Sequence, residues 1–239
     1  MSDQNTRQLM MIRPVAFSKN KETEINNYFQ VDTELKAEEV QKRVIQEFDD
    51  FVQKLRGASI NVHVFEDTQY PVTPDSIFPN NWVSFHQNGS VVLYPMFANN
   101  RRLERRIDLI DNLNDHFEVT KIFENLLSFE SQQKFLEGTG SLVLDRVNKI
   151  AYACYSDRTK CEVILAFEKI TAYTVIRFKA YQSKQGQRLP IYHTNVMMSI
   201  GDHFVLICAE EIDDINEREL ILESFRNQSK EIILFSEDQ

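Results

Sequence analysis

One glutamate, Glu137, lies between an apolar segment and a glycine-rich turn in KFLEGTGSLVLD, residues 134–145. Glycines on both sides of Thr139 allow backbone angles that a side chain would forbid, and residues 142–144 have the composition of a short buried strand. A glutamate in such surroundings must either reach solvent or meet a matching group. Its candidate partner is His193, which interrupts another apolar run, IYHTNVMM, residues 191–198.

A third polar cluster interrupts the strand-like runs at PDSIFPNNW, residues 74–82. Each cluster has a simpler interpretation: Asn80 and Asn81 as a turn pair, Glu137 as a cap or surface ion pair, and His193 as a core histidine. The polar side chains of the three clusters would lie close together, however, if the strand-like runs that carry them pack around a common centre. We therefore expect one cavity to be lined by Asn81, Glu137, Arg158 and His193.

Composition narrows the class of partner. The 239 residues are 42% hydrophobic and 11% aromatic, which is enough for a large core, and we expect a single domain over residues 1–239. The net charge of −9 argues against a nucleic-acid partner and favours a small molecule. Three cysteines without metal-ligand spacing and the lack of a membrane-length apolar run predict a cytoplasmic protein that is not inserted in a membrane.

Short strands and helices recur along the chain. Apolar spacing predicts a helix over residues 36–55, and Asn88-Gly89 predicts a hairpin turn. A helix opening at Arg101 would carry Leu103, Ile107, Ile110 and Leu113 on one stripe. Later elements include a helical piece at 160–167, a hairpin around Gly201-Asp202, a helix at 217–225 and a strand at 231–235. Earlier units continue into a hairpin, so the last unit is expected to be incomplete.

Five motifs in order resemble the guanidine-modifying, amidinotransferase-like superfamily: residues 74–81, 100–104, 136–141, 156–159 and 193–195. The sequence is most similar to the arginine-deiminase-related branch that includes citrulline hydrolases, with dimethylarginine dimethylaminohydrolases more distant. The resemblance implies an α/β propeller, or pentein, of five ββαβ units around a central channel. It also implies attack by a cysteine thiolate on a guanidinium or ureido carbon, followed by hydrolysis of the covalent intermediate.

The resemblance also implies roles for individual residues. His193 would act as acid and base, and Glu137 would orient it. Arg158 would bind the substrate α-carboxylate, with a lone surface arginine as the alternative, and Arg101 would assist it or merely begin a helix. The remaining substrate-binding positions are Asp75, Phe78, Asn80 and Asn81. No cofactor and no metal is expected.

Two departures from the family pattern matter. Relatives that act on cationic guanidinium groups carry carboxylates where this chain has Asn80 and Asn81, and neutral amides suit a ureido group. The sequence therefore predicts hydrolysis of citrulline to ornithine, with an arginine or methylarginine deiminase-type hydrolase as the alternative.

The second departure is that the family's nucleophilic cysteine lies in a C-terminal glycine-rich segment that this sequence does not contain. Cys154 and Cys208 lie in apolar runs and Cys161 starts a helical piece, so none matches the nucleophile. The chain is then either a fragment of an enzyme or a non-catalytic binding protein, and a plain assembly subunit is a third interpretation. An incomplete last unit would expose a sheet edge and favour association, which is compatible with a homo-oligomer.

Overall fold

The computed structural model describes residues 4–113, 117–184 and 186–237. The chain forms two compact units. The N-terminal unit comprises residues 6–91 and 98–121, and the C-terminal unit comprises residues 1–5, 92–97 and 122–239. The expectation of a single domain therefore stays a prediction.

A parallel strand pair opens the N-terminal unit. β1 (Gln8–Arg13) pairs with β2 (Asn61–Glu66) along all six residues, and α1 (Ala37–Gly57) provides the crossover that a parallel pair requires. Acidic residues in the first turn of α1 and basic residues in its last turn complement the helix dipole. The predicted helix over residues 36–55 is confirmed.

A three-stranded sheet follows, with β3 (Val83–Phe85), β4 (Ser90–Leu93) and β5 (Lys121–Phe123) in that order. The turn predicted at Asn88-Gly89 is confirmed. Gly89 has a φ of +77°, and a Cβ at this position would lie 2.5 Å from the carbonyl oxygen of Glu118. Only glycine satisfies both conditions without strain.

The helix predicted from Arg101 is wrong as a single element. The structure has α2 (Asn99–Arg102), then a break, then α3 (Ile107–Leu113). Leu103 is 52% exposed, although the predicted stripe included it, whereas Ile110 is buried. Next to the break, the Arg101 guanidinium turns inward to Glu104 and to two loop carbonyls, which are contacts that apolar spacing does not reveal.

The C-terminal unit repeats one arrangement of strands twice. α4 (Gly138–Ser141) leads into a sheet of β6 (Val143–Asp145), β7 (Ile150–Cys154) and β8 (Thr174–Phe178), and α5 (Cys161–Ile170) connects the last two strands. In this sheet β6 and β7 are antiparallel, and β7 and β8 are parallel. The order of elements is strand, strand, helix, strand, which is the order that the family resemblance implied. The turn predicted at residues 138–141 is instead one turn of helix.

The second repeat follows a short hairpin of β9 (Tyr181–Lys184) and β10 (Gln187–Pro190), which the sequence did not predict. Its sheet consists of β11 (Met198–Ile200), β12 (Phe204–Ile207) and β13 (Glu231–Leu234), and α6 (Ile215–Asn227) connects the last two. Each repeat packs a buried apolar cluster against its helix. No helix among the described residues combines the length and apolarity needed to cross a membrane.

Candidate active site

Glu137 and His193 form a buried hydrogen-bonded pair in the C-terminal unit. Glu137 directly precedes α4, and His193 lies between β10 and a short 3₁₀ turn before β11. The Glu137 Oε2 atom lies 2.7 Å from the His193 Nε2 atom. Glu137 is fully buried and His193 is 5% exposed. The structure thus brings together the two side chains that the sequence suggested as partners.

The Glu137 carboxylate is held on both oxygens. Its Oε1 atom accepts a hydrogen bond of 2.9 Å from the backbone N–H of Phe97, and its Oε2 atom lies 3.4 Å from the Arg158 Nη1 atom. A buried carboxylate without such partners would be costly, whereas this one has a backbone donor, a guanidinium and an imidazole. The alternative of a surface ion pair for Glu137 is therefore wrong.

Arg158 is also buried, with 1% of its surface exposed. Its guanidinium carbon lies 4.8 Å from the ring centroid of Tyr192 and 5.8 Å from that of Phe97. These distances suit cation–π contacts. The alternative of a lone surface arginine is wrong, while the role of Arg158 in binding a substrate carboxylate stays a prediction.

The contact with Glu137 has a chemical consequence for the His193 ring. When Nε2 donates its proton to the carboxylate, Nδ1 becomes the basic nitrogen, because a neutral imidazole carries one donor and one acceptor. The contact therefore gives His193 a fixed orientation and makes Nδ1 its proton-accepting nitrogen.

The N-terminal unit contains a second polar cluster, centred on Arg101. Its guanidinium forms a bidentate pair with Glu104, with two N–O distances of 2.9 Å, and donates to the Asn81 side chain at 3.3 Å. It also donates to the carbonyl of Phe78 at 3.2 Å and lies 3.7 Å from the Asp75 carboxylate. Arg101 is 2% exposed. It lies within the four-residue helix α2 and does not begin a longer helix.

The predicted substrate residues at 75–81 differ in exposure. Asp75 accepts a hydrogen bond of 2.8 Å from Asn20, a residue that the sequence did not single out. Asn81 is 4% exposed and Asn80 is half-buried, and both lie in a 3₁₀ turn. Phe78 is 47% exposed. The motif thus presents one apolar ring at the surface and buries much of its polar part.

The predicted residues are divided between the two units. The C-terminal unit contains Glu137, Arg158 and His193, whereas the N-terminal unit contains Asp75, Phe78, Asn80, Asn81 and Arg101. The expectation that Asn81 shares one cavity with the other three residues therefore stays a prediction.

The three cysteines have hydrogen-bond partners that are distinct from the Glu137–His193 pair. The Cys154 thiol contacts Thr194 and the carbonyl of Ile191, and burial raises its pKa to about 12. Burial likewise raises the pKa of Cys208 to about 12. Cys161, the first residue of α5, accepts from the Tyr155 hydroxyl at 3.8 Å. The raised pKa values make Cys154 and Cys208 poor nucleophiles at neutral pH.

Sequence reasoning missed four residues around the pair. Phe97 supplies a backbone donor, and Ser141, Thr159 and Thr194 connect the segments on which the site residues lie. The three hydroxyl residues lie within the family motifs at 136–141, 156–159 and 193–195, and this location is the feature of the sequence that could have indicated their role. Within the described ranges, no group of three His, Cys, Asp or Glu side chains is arranged to hold a metal ion.

A family model described as "N,N dimethylarginine dimethylhydrolase, eukaryotic" matches residues 13–239. The chain belongs to this family. Members of the dimethylarginine dimethylhydrolase family are hydrolases acting on guanidino groups. The resemblance to guanidine-modifying enzymes is thereby confirmed. No curated protein matches the chain at a significant level.

Solved structures show the same fold. The N-terminal domain of ArgZ, an arginine dihydrolase from the ornithine-ammonia cycle in Cyanobacteria, bound to product, matches with a TM-score of 0.66 at 16% identity over 95% of this chain and 74% of that one. Unliganded AgrE gives 0.68 at 16% identity, over 97% of this chain and 30% of that one. A variant dimethylarginine dimethylaminohydrolase, solved as an adduct with S-methyl-L-thiocitrulline, gives 0.63 at 13% identity, over 97% and 77%.

These identities support a shared α/β fold and nothing finer. The chain spans 29% of full-length ArgZ and 30% of full-length AgrE, which are therefore much longer than the part they share with it.

Proposed function

We propose that this chain binds an amino acid whose side chain ends in a guanidino or ureido group, and that the protein hydrolyses a C–N bond of that group. The observation that carries this proposal is the Glu137–His193 hydrogen bond of 2.7 Å, formed by a fully buried carboxylate whose other oxygen is fixed by a backbone N–H. This arrangement orients an imidazole for proton transfer at a buried centre.

In the proposed reaction a cysteine thiolate attacks the planar carbon, and the bond from that carbon to the leaving nitrogen breaks. His193 gives a proton to the departing amine through Nδ1 and then takes one from the attacking water. Water displaces the thiolate and restores it. Glu137 holds the ring throughout and stabilises its protonated form.

We propose that the nucleophile is none of Cys154, Cys161 and Cys208. Burial of the first and third thiols and their raised pKa values support this, as does the contact of the second with a tyrosine hydroxyl. Residues 1–239 should then bind the substrate with negligible turnover, because removing a covalent nucleophile costs several orders of magnitude in rate.

We propose citrulline as the preferred substrate, which would yield ornithine, ammonia and carbon dioxide. Asn80 and Asn81 support it, because amides both donate to and accept from a neutral ureido group. The family description favours the alternative of a methylated arginine. The substrate positions Asp75, Phe78 and Arg101 belong to the same proposal, and so does binding of the α-carboxylate by Arg158.

A non-catalytic binding protein is the second candidate function. The pKa values of Cys154 and Cys208 favour it, because a retained pocket without a reactive thiol binds a ligand and leaves it unchanged. Turnover by any version of the protein that contains residues 1–239 would eliminate this candidate.

Three broader predictions belong to the same proposal. The ββαβ repeats of the C-terminal unit support an α/β propeller, and the three cysteine thiols, which form no disulfide, support a cytoplasmic location. Ile233 and Leu234 on β13 are 40% and 62% exposed, which supports self-association. Sedimentation at several concentrations measures that association.

Calorimetric titration with citrulline, arginine and N,N-dimethylarginine tests the proposed binding. We expect a measurable affinity for at least one of them, lost in His193→Gln and Glu137→Gln. The matched control is His203→Gln, since His203 is exposed and lies outside the pair. Equal affinities in His193→Gln and His203→Gln would contradict the proposal, as would the absence of binding to all three compounds.

A further inference from the structure

Three fully buried hydroxyl groups lie next to the Glu137–His193 pair. They belong to Ser141, Thr159 and Thr194, each of which is 0% exposed. Ser141 closes the helical turn that begins after Glu137, and Thr194 follows His193 directly. These hydroxyl groups therefore lie on the segments that carry the site residues.

The Ser141 hydroxyl uses its full hydrogen-bonding capacity. Its Oγ atom accepts the Glu137 backbone N–H at 2.9 Å and the Thr159 hydroxyl at 2.7 Å, and it donates to the Arg158 carbonyl at 2.9 Å. A serine hydroxyl has one donor and two acceptor sites, so no capacity is left over. The backbone at Glu137 and at Arg158 is thereby tied to one oxygen atom.

Thr194 connects the third segment to the same residue. Its hydroxyl donates to the Ser141 carbonyl at 2.6 Å and accepts the Cys154 backbone N–H at 2.8 Å. Because Thr194 adjoins His193, this contact fixes the imidazole segment relative to the turn that carries Glu137.

We propose that Ser141 and Thr194 are positioning residues, which hold the Glu137 carboxylate and the His193 ring at hydrogen-bonding distance. Functional groups need placement to within about 0.5 Å, and that placement depends on supporting hydrogen bonds. The catalytic meaning of this inference rests on the proposed function, whereas the geometry can be measured without a substrate.

The test compares three variants at two threonines. Thr194→Val keeps the side-chain shape and removes the hydroxyl, and Thr194→Ser restores the hydroxyl. Thr171→Val is the matched control, because the Thr171 hydroxyl donates to the Phe167 carbonyl at 2.8 Å at the far end of α5. Thr194→Val should lose more thermal stability than Thr171→Val, because the Thr194 hydroxyl is fully buried and bonds two backbone groups, whereas Thr171 is partly exposed.

The exchange rate of the His193 ring N–H, followed by NMR in protein labelled with ¹⁵N-histidine, reports how well the Glu137–His193 hydrogen bond is held. The His193 signal is identified by its absence in His193→Gln. We expect exchange at least about tenfold faster in Thr194→Val, a factor of the size expected from losing the two buried hydrogen bonds of the Thr194 hydroxyl. Thr194→Ser and Thr171→Val should exchange at the wild-type rate.

An unchanged exchange rate in Thr194→Val would overturn the inference, and so would equal acceleration in Thr194→Val and Thr171→Val. Should Thr194→Val fail to fold, Ser141→Ala replaces it with the same expected acceleration. Ligand titration of the same variants separates the two proposals. Missing affinity in the wild type refutes the proposed function, whereas unchanged exchange refutes only the positioning roles.

Discussion

Replacing Arg101 with methionine should strongly destabilise the protein. Arg101 is 2% exposed and its guanidinium makes two hydrogen bonds of 2.9 Å to Glu104, whose side chain is 1% exposed. Methionine keeps only the apolar stem of the side chain, so a buried carboxylate loses its cation, and Asn81 and the Phe78 carbonyl each lose a hydrogen-bond donor. Removing one partner of a buried ion pair costs about 3–5 kcal/mol. That cost is a large part of the total stability of a domain, about 5–15 kcal/mol.

Urea unfolding provides the assay, because Trp82 is the single tryptophan of the chain and is 1% exposed. Its fluorescence should report the loss of structure beside Asn81, the residue before it. Arg102→Met is the matched control, since Arg102 lies in the same helical turn and is partly exposed. The control should lower the free energy of unfolding much less than Arg101→Met does, because Arg102 is not fully buried.

The double variant Arg101→Met/Glu104→Leu shows how much of the lost stability comes from leaving the buried Glu104 carboxylate without a cation. With both charges removed, a substantial part of the stability should return, because replacing a buried pair by apolar groups is often neutral or stabilising. Two results would refute the reasoning: a loss in Arg101→Met no larger than in Arg102→Met, or a double variant less stable than the single one.

Three other predictions follow from the described geometry. Burial, together with a neighbouring glutamate, raises the pKa of Glu211 from 4.5 to about 7, so the folded state retains a proton that the unfolded state releases between these values. The free energy of unfolding should therefore fall as pH rises through that window, and Glu211→Gln, compared with wild type by thermal unfolding, should lessen the fall. Asn81→Asp should shift ligand preference from citrulline toward arginine in calorimetric titration, although Arg101 at 3.3 Å would offset part of the new charge, and an unchanged preference would contradict the argument. A thiol-reactive dye at pH 8 should label Cys161 well before Cys154 and Cys208, and simultaneous labelling of all three in the folded protein would contradict their burial.

The sequence predicted the elements that depend on local periodicity and turn chemistry. Helix α1 follows from apolar spacing, and the turn at Gly89 follows from a dipeptide that favours positive φ. The break between α2 and α3 was missed because Arg101 turns inward to partners that local spacing does not reveal.

The sequence predicted the two central residues of the candidate site but not the hydroxyl residues around them. A polar residue within an apolar run indicated Glu137 and His193, and their contact in the structure agrees with that inference. The roles of Ser141 and Thr194 were not predictable, because serine and threonine are common in turns and near strands. Only the folded arrangement shows which carbonyl each hydroxyl meets.

The hydrogen bond from Thr194 to Ser141 joins residues 53 positions apart in the chain. Contacts of such long sequence separation form late, because the entropy of closing the intervening loop must be lost before the contact is gained. The strands β6 to β8 can pair beforehand, since they lie within one shorter segment. During refolding, protection of the His193 ring N–H from exchange should therefore not precede the pairing of β6, β7 and β8.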